Sequence, residues 1–152
     1  MQETLRTLFR FSIDNENNEH QIITLFSTLE EDLIAKIKLA TDVDLIGFCV
    51  EIDNYGIKHA FDRHGNENKE AKQGQIAITE DDFTLIPLII TDFDSVIYNE
   101  FVNGKTIEPA LVFEKEIDGR YFVVQQIKTV TKKGKQNRLL LKTMYKKRSN
   151  KQ

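Results

Sequence analysis

The chain has 152 residues, 40% of them apolar and 30% charged, with 24 acidic against 21 basic side chains and a single cysteine. That size and balance point to one globular domain with a sizeable core, and they exclude a disordered, fibrous or disulfide-stapled chain. No apolar run approaches the roughly 20 residues needed to span a bilayer, and the start MQETLRTLFRF lacks the apolar core and small-residue cleavage site of a signal peptide.

In chain order, Leu8 to Ile13 and Gln21 to Phe26 read as two short strands, separated by a polar loop from Asp14 to Glu19. A helix follows, with Ser27 or Thr28 as its cap and Glu30 or Glu31 completing a capping box. Leu29, Leu33, Ile34, Ile37 and Ala40 fall at helical spacing and predict one buried face. Leu45 to Ile52 reads as a strand. It contains Cys49, which cannot form an internal disulfide and is expected to be a buried thiol in a reducing cytoplasm.

Asn54 to His64 reads as a second helix, capped by Asp53 or Asn54 and closed by Gly65. Asn66 to Gln75 is polar and loop-like. Thr79 caps a third helix through Glu80, Asp81 and Asp82, acids that suit its positive end. That helix is expected to stop or bend near Pro87.

Four strands are expected from there on: Ser95 to Val102, Ala110 to Ile117, Arg120 to Val130 and Arg138 to Lys146. Turns at Asn103-Gly104, at Asp118-Gly119 and around Gly134 would join them as an antiparallel meander. Pro109 belongs at a strand start or edge. The class is α+β, with N-terminal helices packed on a four-stranded antiparallel sheet.

Charge is divided along the chain. Residues 1–113 hold 9 basic and 21 acidic side chains, a net of −12, and the rest hold 12 and 3, a net of +9. Ile127 to Gln152 carries ten Lys or Arg and no acid. A one-sided basic segment suits a polyanion, and nucleic acid is the common one, because each phosphate contact releases counterions. In the final six residues a solvated, frayed tail would have the same composition.

Two of the three histidines lie in Ile57-Lys58-His59-Ala60-Phe61-Asp62-Arg63-His64-Gly65. On a helix His59 and Arg63 share a face. Imidazole beside guanidinium suits phosphodiester chemistry: one moves a proton near neutral pH, the other holds a phosphate oxygen. A zinc pair prefers histidines four apart, so no metal site is expected. His64 before Gly65 also fits a helix-end histidine that satisfies terminal carbonyls. The acids Glu80-Asp81-Asp82 are better explained by the helix start they occupy than by a divalent ion.

On the last strand, strict alternation puts Leu139, Leu141, Thr143 and Tyr145 on one face and Leu140, Lys142, Met144 and Lys146 on the other. Neither face is cleanly apolar. Thr143 and Tyr145 could hydrogen-bond phosphate or stack a base, although both also favour strands for packing alone. Lys128 on the preceding strand could converge with Lys142. No Gly-rich phosphate loop, dinucleotide fingerprint or nucleophile elbow is present.

The segments IKHAFDRHG, GQIAIT, EDDFTLIPLII, YFVVQQIK and LLLKTMYKK, in that order, resemble the phage-associated nuclease-like domains of the Barnase–EndoU–colicin–RelE superfamily. Such domains are found at the C-terminal ends of MuF-type phage head proteins and in polyvalent mobile-element proteins. The resemblance covers about Asp42 to Lys147. No large head-protein segment precedes it, so a MuF protein itself is not expected. One nuclease-like domain is expected over residues 1–147: an N-terminal extension over 1–41, a family-like core over 42–147, and a basic tail over 148–152.

The resemblance implies a cofactor-free, metal-independent endoribonuclease in which the RNA 2′-OH attacks the adjacent phosphate. It implies catalytic roles for His59, His64 and Thr143, with Arg63, Lys128, Lys142 and Tyr145 binding substrate. Where it implies an acid on the penultimate strand, this chain has Gln125 and Gln126. The expected partners are RNA and a cognate immunity or antitoxin protein, with no membrane. The rival reading is a catalytically inactive binding or inhibitor module acting on a host nucleic-acid enzyme.

Overall fold

A computed structural model describes residues 1–14, 19–131 and 133–149. The central part of the Asp14–Glu19 loop and the last three residues of the basic tail lie outside them. The elements in order are α1 (Gln2–Asp14), β1 (Ile22–Phe26), α2 (Glu31–Thr41), β2 (Cys49–Asp53), α3 (Asn54–His64), α4 (Glu67–Lys72), β3 (Gln75–Ile76), α5 (Glu80–Phe83), α6 (Ile86–Thr91), β4 (Ser95–Asn103), β5 (Thr106–Glu116), β6 (Arg120–Lys128) and β7 (Arg138–Lys147). The class is α+β.

The sheet is larger than a four-stranded meander, and mixed. Its order is β1-β2-β7-β6-β5-β4, with β3 also paired to β7, seven strands in all. The four C-terminal strands do pair antiparallel in sequence, but β2 joins β7 in parallel through Cys49–Arg138, Val50–Leu139 and Glu51–Leu140. The first hairpin turns on Gly104-Lys105, because Asn103 is still paired with Thr106, and Gly104 alone takes positive φ. The second uses three residues, with Asp118 and Gly119 both at positive φ.

Several local expectations change. Leu8 to Ile13 is helical, not a strand, because Leu5, Leu8, Phe9 and Ser12 recur at helical spacing and are all buried. Helix α2 starts at Glu31, with Glu30 at its cap and no side-chain cap bond, so Ser27 and Thr28 do not cap it. Ala40 is exposed and Ile37 is its one fully buried side chain. The polar stretch from Asn66 contains α4, capped by the Asn66 side chain, which accepts from Lys69 N at 3.1 Å. The helix capped by Thr79 does stop short of Pro87, at Phe83, but Pro87 lies in the first turn of a new helix, α6, where a missing N–H costs nothing. Pro109 lies inside β5, opposite Glu100 of edge strand β4 and one residue before β6 pairing begins at Ala110.

Other signals act as read. Asp53 caps α3 by accepting from Gly56 N at 2.7 Å. Thr79 and Asp82 form a capping box on α5. Asp82 also accepts from the buried Tyr121 hydroxyl at 2.6 Å, while Glu80 and Asp81 pair with Arg6, and Glu80 with Arg10, on α1. The Glu80-Asp81-Asp82 acids are thus occupied in joining α1 and β6 to α5. Cys49 is buried, and desolvation pushes its thiol up.

The main core lies between the helices and one face of the sheet. Leu5, Ile37, Ile57, Ile89, Phe113 and Leu141 belong to it, and each such burial contributes roughly 1.5–3 kcal/mol. A second cluster, Ala110, Val112, Phe122 and Val124 with Phe101 and Tyr145 against it, lies on the opposite face and is built from strand residues alone. That opposite face is the open one.

Candidate functional site

The site is organised by an irregularity in β7. Val124 on β6 faces Thr143, but the next residue, Gln125, faces Leu141, so Lys142 is an extra residue in the ladder. A bulge of this kind flips the alternation beyond it. Leu139 and Leu141 face the main core, and so does Met144, whereas Tyr145 packs on the open-face cluster. Strict alternation is therefore corrected. The last strand has an apolar face after all, and the mixture read from the sequence comes from the parity change at Lys142.

Helix α3 lies along this same stretch. β2 pairs with β7 only up to Leu140 and β3 only at Lys146 and Lys147, so Leu141 to Tyr145 have no strand on that side. α3 takes the place, with Gly56 against the Leu141 carbonyl. Ile57 and Ala60 enter the main core, while Tyr55, His59 and Arg63, four residues apart, form an exposed stripe.

This packing sets the surroundings of His59. Desolvation lowers its pKa, and the nearby charges of Arg63, Lys142 and His64 lower it further against the weaker pull of Asp62. His59 is thus a neutral imidazole at neutral pH, in reach of the field of three cationic or titrating groups from α3 and β7. His64 Nδ1 lies within hydrogen-bond distance of the Glu70 carboxylate, 3.1 Å from Oε2, and its ring lies 5.6 Å from that of Tyr145. Tyr145 stacks on Phe122 with centroids 4.7 Å apart, and burial pushes its hydroxyl up, keeping it protonated.

Three cations of the open face are paired with carboxylates. Lys142 binds Glu108 on β5 and lies over the Phe101 ring, Arg138 pairs with Glu51, and Arg120 with Glu114. Lys142, and less strongly Lys128, hold the Glu108 carboxyl below its usual range. The structure thus brings His59, Arg63, His64, Lys142 and Tyr145 to one seam between α3 and β7, while Lys128 acts on the Glu108 carboxyl through its field. Thr143 is in the same strand, but its hydroxyl is buried and has no hydrogen-bond partner among the described residues.

Gln125 and Gln126 point to opposite faces. Gln125 faces Leu111 and Leu141 in the main core, 0% exposed, with neither amide atom hydrogen-bonded among the described residues. Gln126 lies on the open face opposite Ala110 and Leu140. The carboxylate nearest the seam's lysines is instead Glu108, which sequence reasoning missed. Its one signal was position: a lone acid just before Pro109, two residues ahead of the expected strand start at Ala110, whereas β5 begins at Thr106. Glu70, in a stretch read as loop, was missed as well.

A neutral imidazole, a second imidazole held by a carboxylate, and lysine and arginine side chains on an open sheet face can hold a phosphodiester and move protons at it. No group of three or more His, Cys, Asp or Glu side chains is placed to hold a metal ion among the described residues, and no helix among them is long and apolar enough to cross a membrane. The model of the family described as phage-Barnase-EndoU-ColicinE5/D-RelE like nuclease3 matches residues 29–152, and the chain belongs to that family. Comparison with curated proteins and with solved structures yields no significant match.

Proposed function

We propose that the protein is a metal-independent endoribonuclease. The reading rests on one observation: His59 stands in the field of Arg63 and Lys142 where α3 meets the bulge of β7, and burial together with those charges lowers its pKa. In the proposed reaction His59 takes the proton of the RNA 2′-OH as its oxygen attacks the adjacent phosphorus. The bond from phosphorus to the 5′ oxygen breaks, and His64, entering the step with both ring nitrogens protonated, gives its Nε2 proton to that leaving oxygen. Arg63 and Lys142, with Lys128 beside Glu108, stabilise the charge that develops on the phosphate, the largest single contribution in sites of this kind. Tyr145 positions the substrate, and Thr143 shapes the strand beneath it.

The test is incubation with total RNA, with and without EDTA, followed by analysis of the new ends. EDTA-resistant cleavage leaving 2′,3′-cyclic phosphate supports the reading. Cleavage abolished by EDTA overturns the metal-independent mechanism. Salt-sensitive RNA binding without cleavage favours a catalytically inactive binding module.

A further inference from the structure

Helix α4 uses its buried position in an unusual way. It has six residues, and the one it buries is Glu70, 1% exposed. Short helices normally dock through apolar side chains, and a buried carboxylate is costly unless it is paired and hydrogen-bonded. The partner of this carboxylate is His64. Its Nδ1 stands 3.1 and 3.3 Å from the two oxygens of Glu70.

An ionised carboxylate only accepts, so Nδ1 carries the hydrogen. In the neutral ring that leaves the lone pair on Nε2. Among the described residues Nε2 has no hydrogen-bond partner, and the His64 side chain keeps 16% of its surface exposed. The backbone of His64 is held as well, its carbonyl accepting from Ile78 N at 2.9 Å. Glu70 from α4 and Tyr145 from β7 lie against the ring, and its charge influences the titration of His59 on its own helix.

We infer that Glu70 is a positioning residue for His64: it fixes the ring in the Nδ1–H tautomer and so leaves Nε2 free to exchange a proton at the seam between α3 and β7. The role of Nε2 in chemistry rests on the endoribonuclease reading; the tautomer does not. α4 keeps its own start without Glu70, because Asn66 caps it, and Gln nearly matches Glu in shape. Glu70→Gln is therefore expected to fold.

The experiment is ¹⁵N NMR of the imidazole rings in the whole protein, above the pH at which they titrate. Wild type is expected to show His64 protonated at Nδ1, and Glu70→Gln to shift it toward Nε2–H, the form preferred by a free imidazole. Cleavage of total RNA by Glu70→Gln should fall on the order of 10- to 100-fold, as for carboxylates that orient functional histidines elsewhere, mainly in kcat.

A wild-type ring protonated at Nε2 overturns the inference, and that measurement needs no variant to fold. An unmoved tautomer in Glu70→Gln, or wild-type cleavage by a variant whose tautomer has moved, overturns it too. If wild type cleaves no RNA but shows the Nδ1–H form, moved by Glu70→Gln, the positioning stands and the endoribonuclease reading falls.

Discussion

Gly56 and the carbonyl oxygen of Leu141 approach so closely that a β-carbon on Gly56 would overlap that oxygen. This contact sets the distance between α3 and β7 one residue before the bulge at Lys142, and so places His59 and Arg63 relative to Lys142. Gly56→Ala must push helix and strand apart. Overpacking of this kind costs about 1–3 kcal/mol, read as a lower urea midpoint, and RNA cleavage should fall further than the lost stability explains.

His59→Ala should leave the fold intact, because the side chain is exposed, and should reduce RNA cleavage by roughly 10²–10⁴ as expected for loss of a general acid or base. Thermal unfolding measured beside activity separates the two effects. Full activity in a folded variant would end the mechanism.

The pH dependence follows from the direction of the His59 shift. Its folded pKa lies below the ordinary 6.5. As pH falls, the unfolded chain takes up this proton first, so folding stability drops from about that ordinary value down through the folded pKa and is recovered above it. The acid limb of kcat/KM, set by the free enzyme, should accordingly lie below the ordinary imidazole value and coincide with the His59 titration seen by NMR.

Lys142 and Glu108 should act in opposite directions on binding. Lys142→Ala should weaken binding to unrelated RNA sequences alike and reduce the dependence of log K on log salt by about 1. Glu108→Gln frees the Lys142 ammonium from its carboxylate and should strengthen binding at low salt. Filter binding across a salt series measures both. Salt-insensitive binding, or an affinity unmoved by either change, would remove the phosphate role of this strand.

Asp82 is a purely structural prediction. It completes the capping box of α5 and accepts from the buried Tyr121 hydroxyl at 2.6 Å, an interaction that, with burial, pushes the phenol pKa up. Asp82→Ala removes a cap and orphans a buried donor, together about 2–4 kcal/mol. The urea midpoint should fall while the His59 titration stays in place.

The chain itself determined what short-range chemistry can specify. The Asp53 cap of α3, the Thr79 box, the glycine-dependent turns and the four C-terminal strands all depend on residues within a few positions of one another. The helical identity of residues 8–13 was equally local, and became visible only with Leu5 included. Tertiary structure alone decided the rest. The parallel join of β2 to β7 links residues that no local pattern pairs. One extra residue at Lys142 reassigns Met144 and Tyr145 to opposite faces, because side chains alternate with a period of two and a single slip inverts everything beyond it. Glu108 meets Lys142 across 34 positions of sequence, and Glu70 meets His64 because a short helix folds back over α3. Ion pairs of this kind are products of strand register and helix packing, which is why the histidines and lysines of the seam could be named from the sequence and the carboxylates that hold them could not.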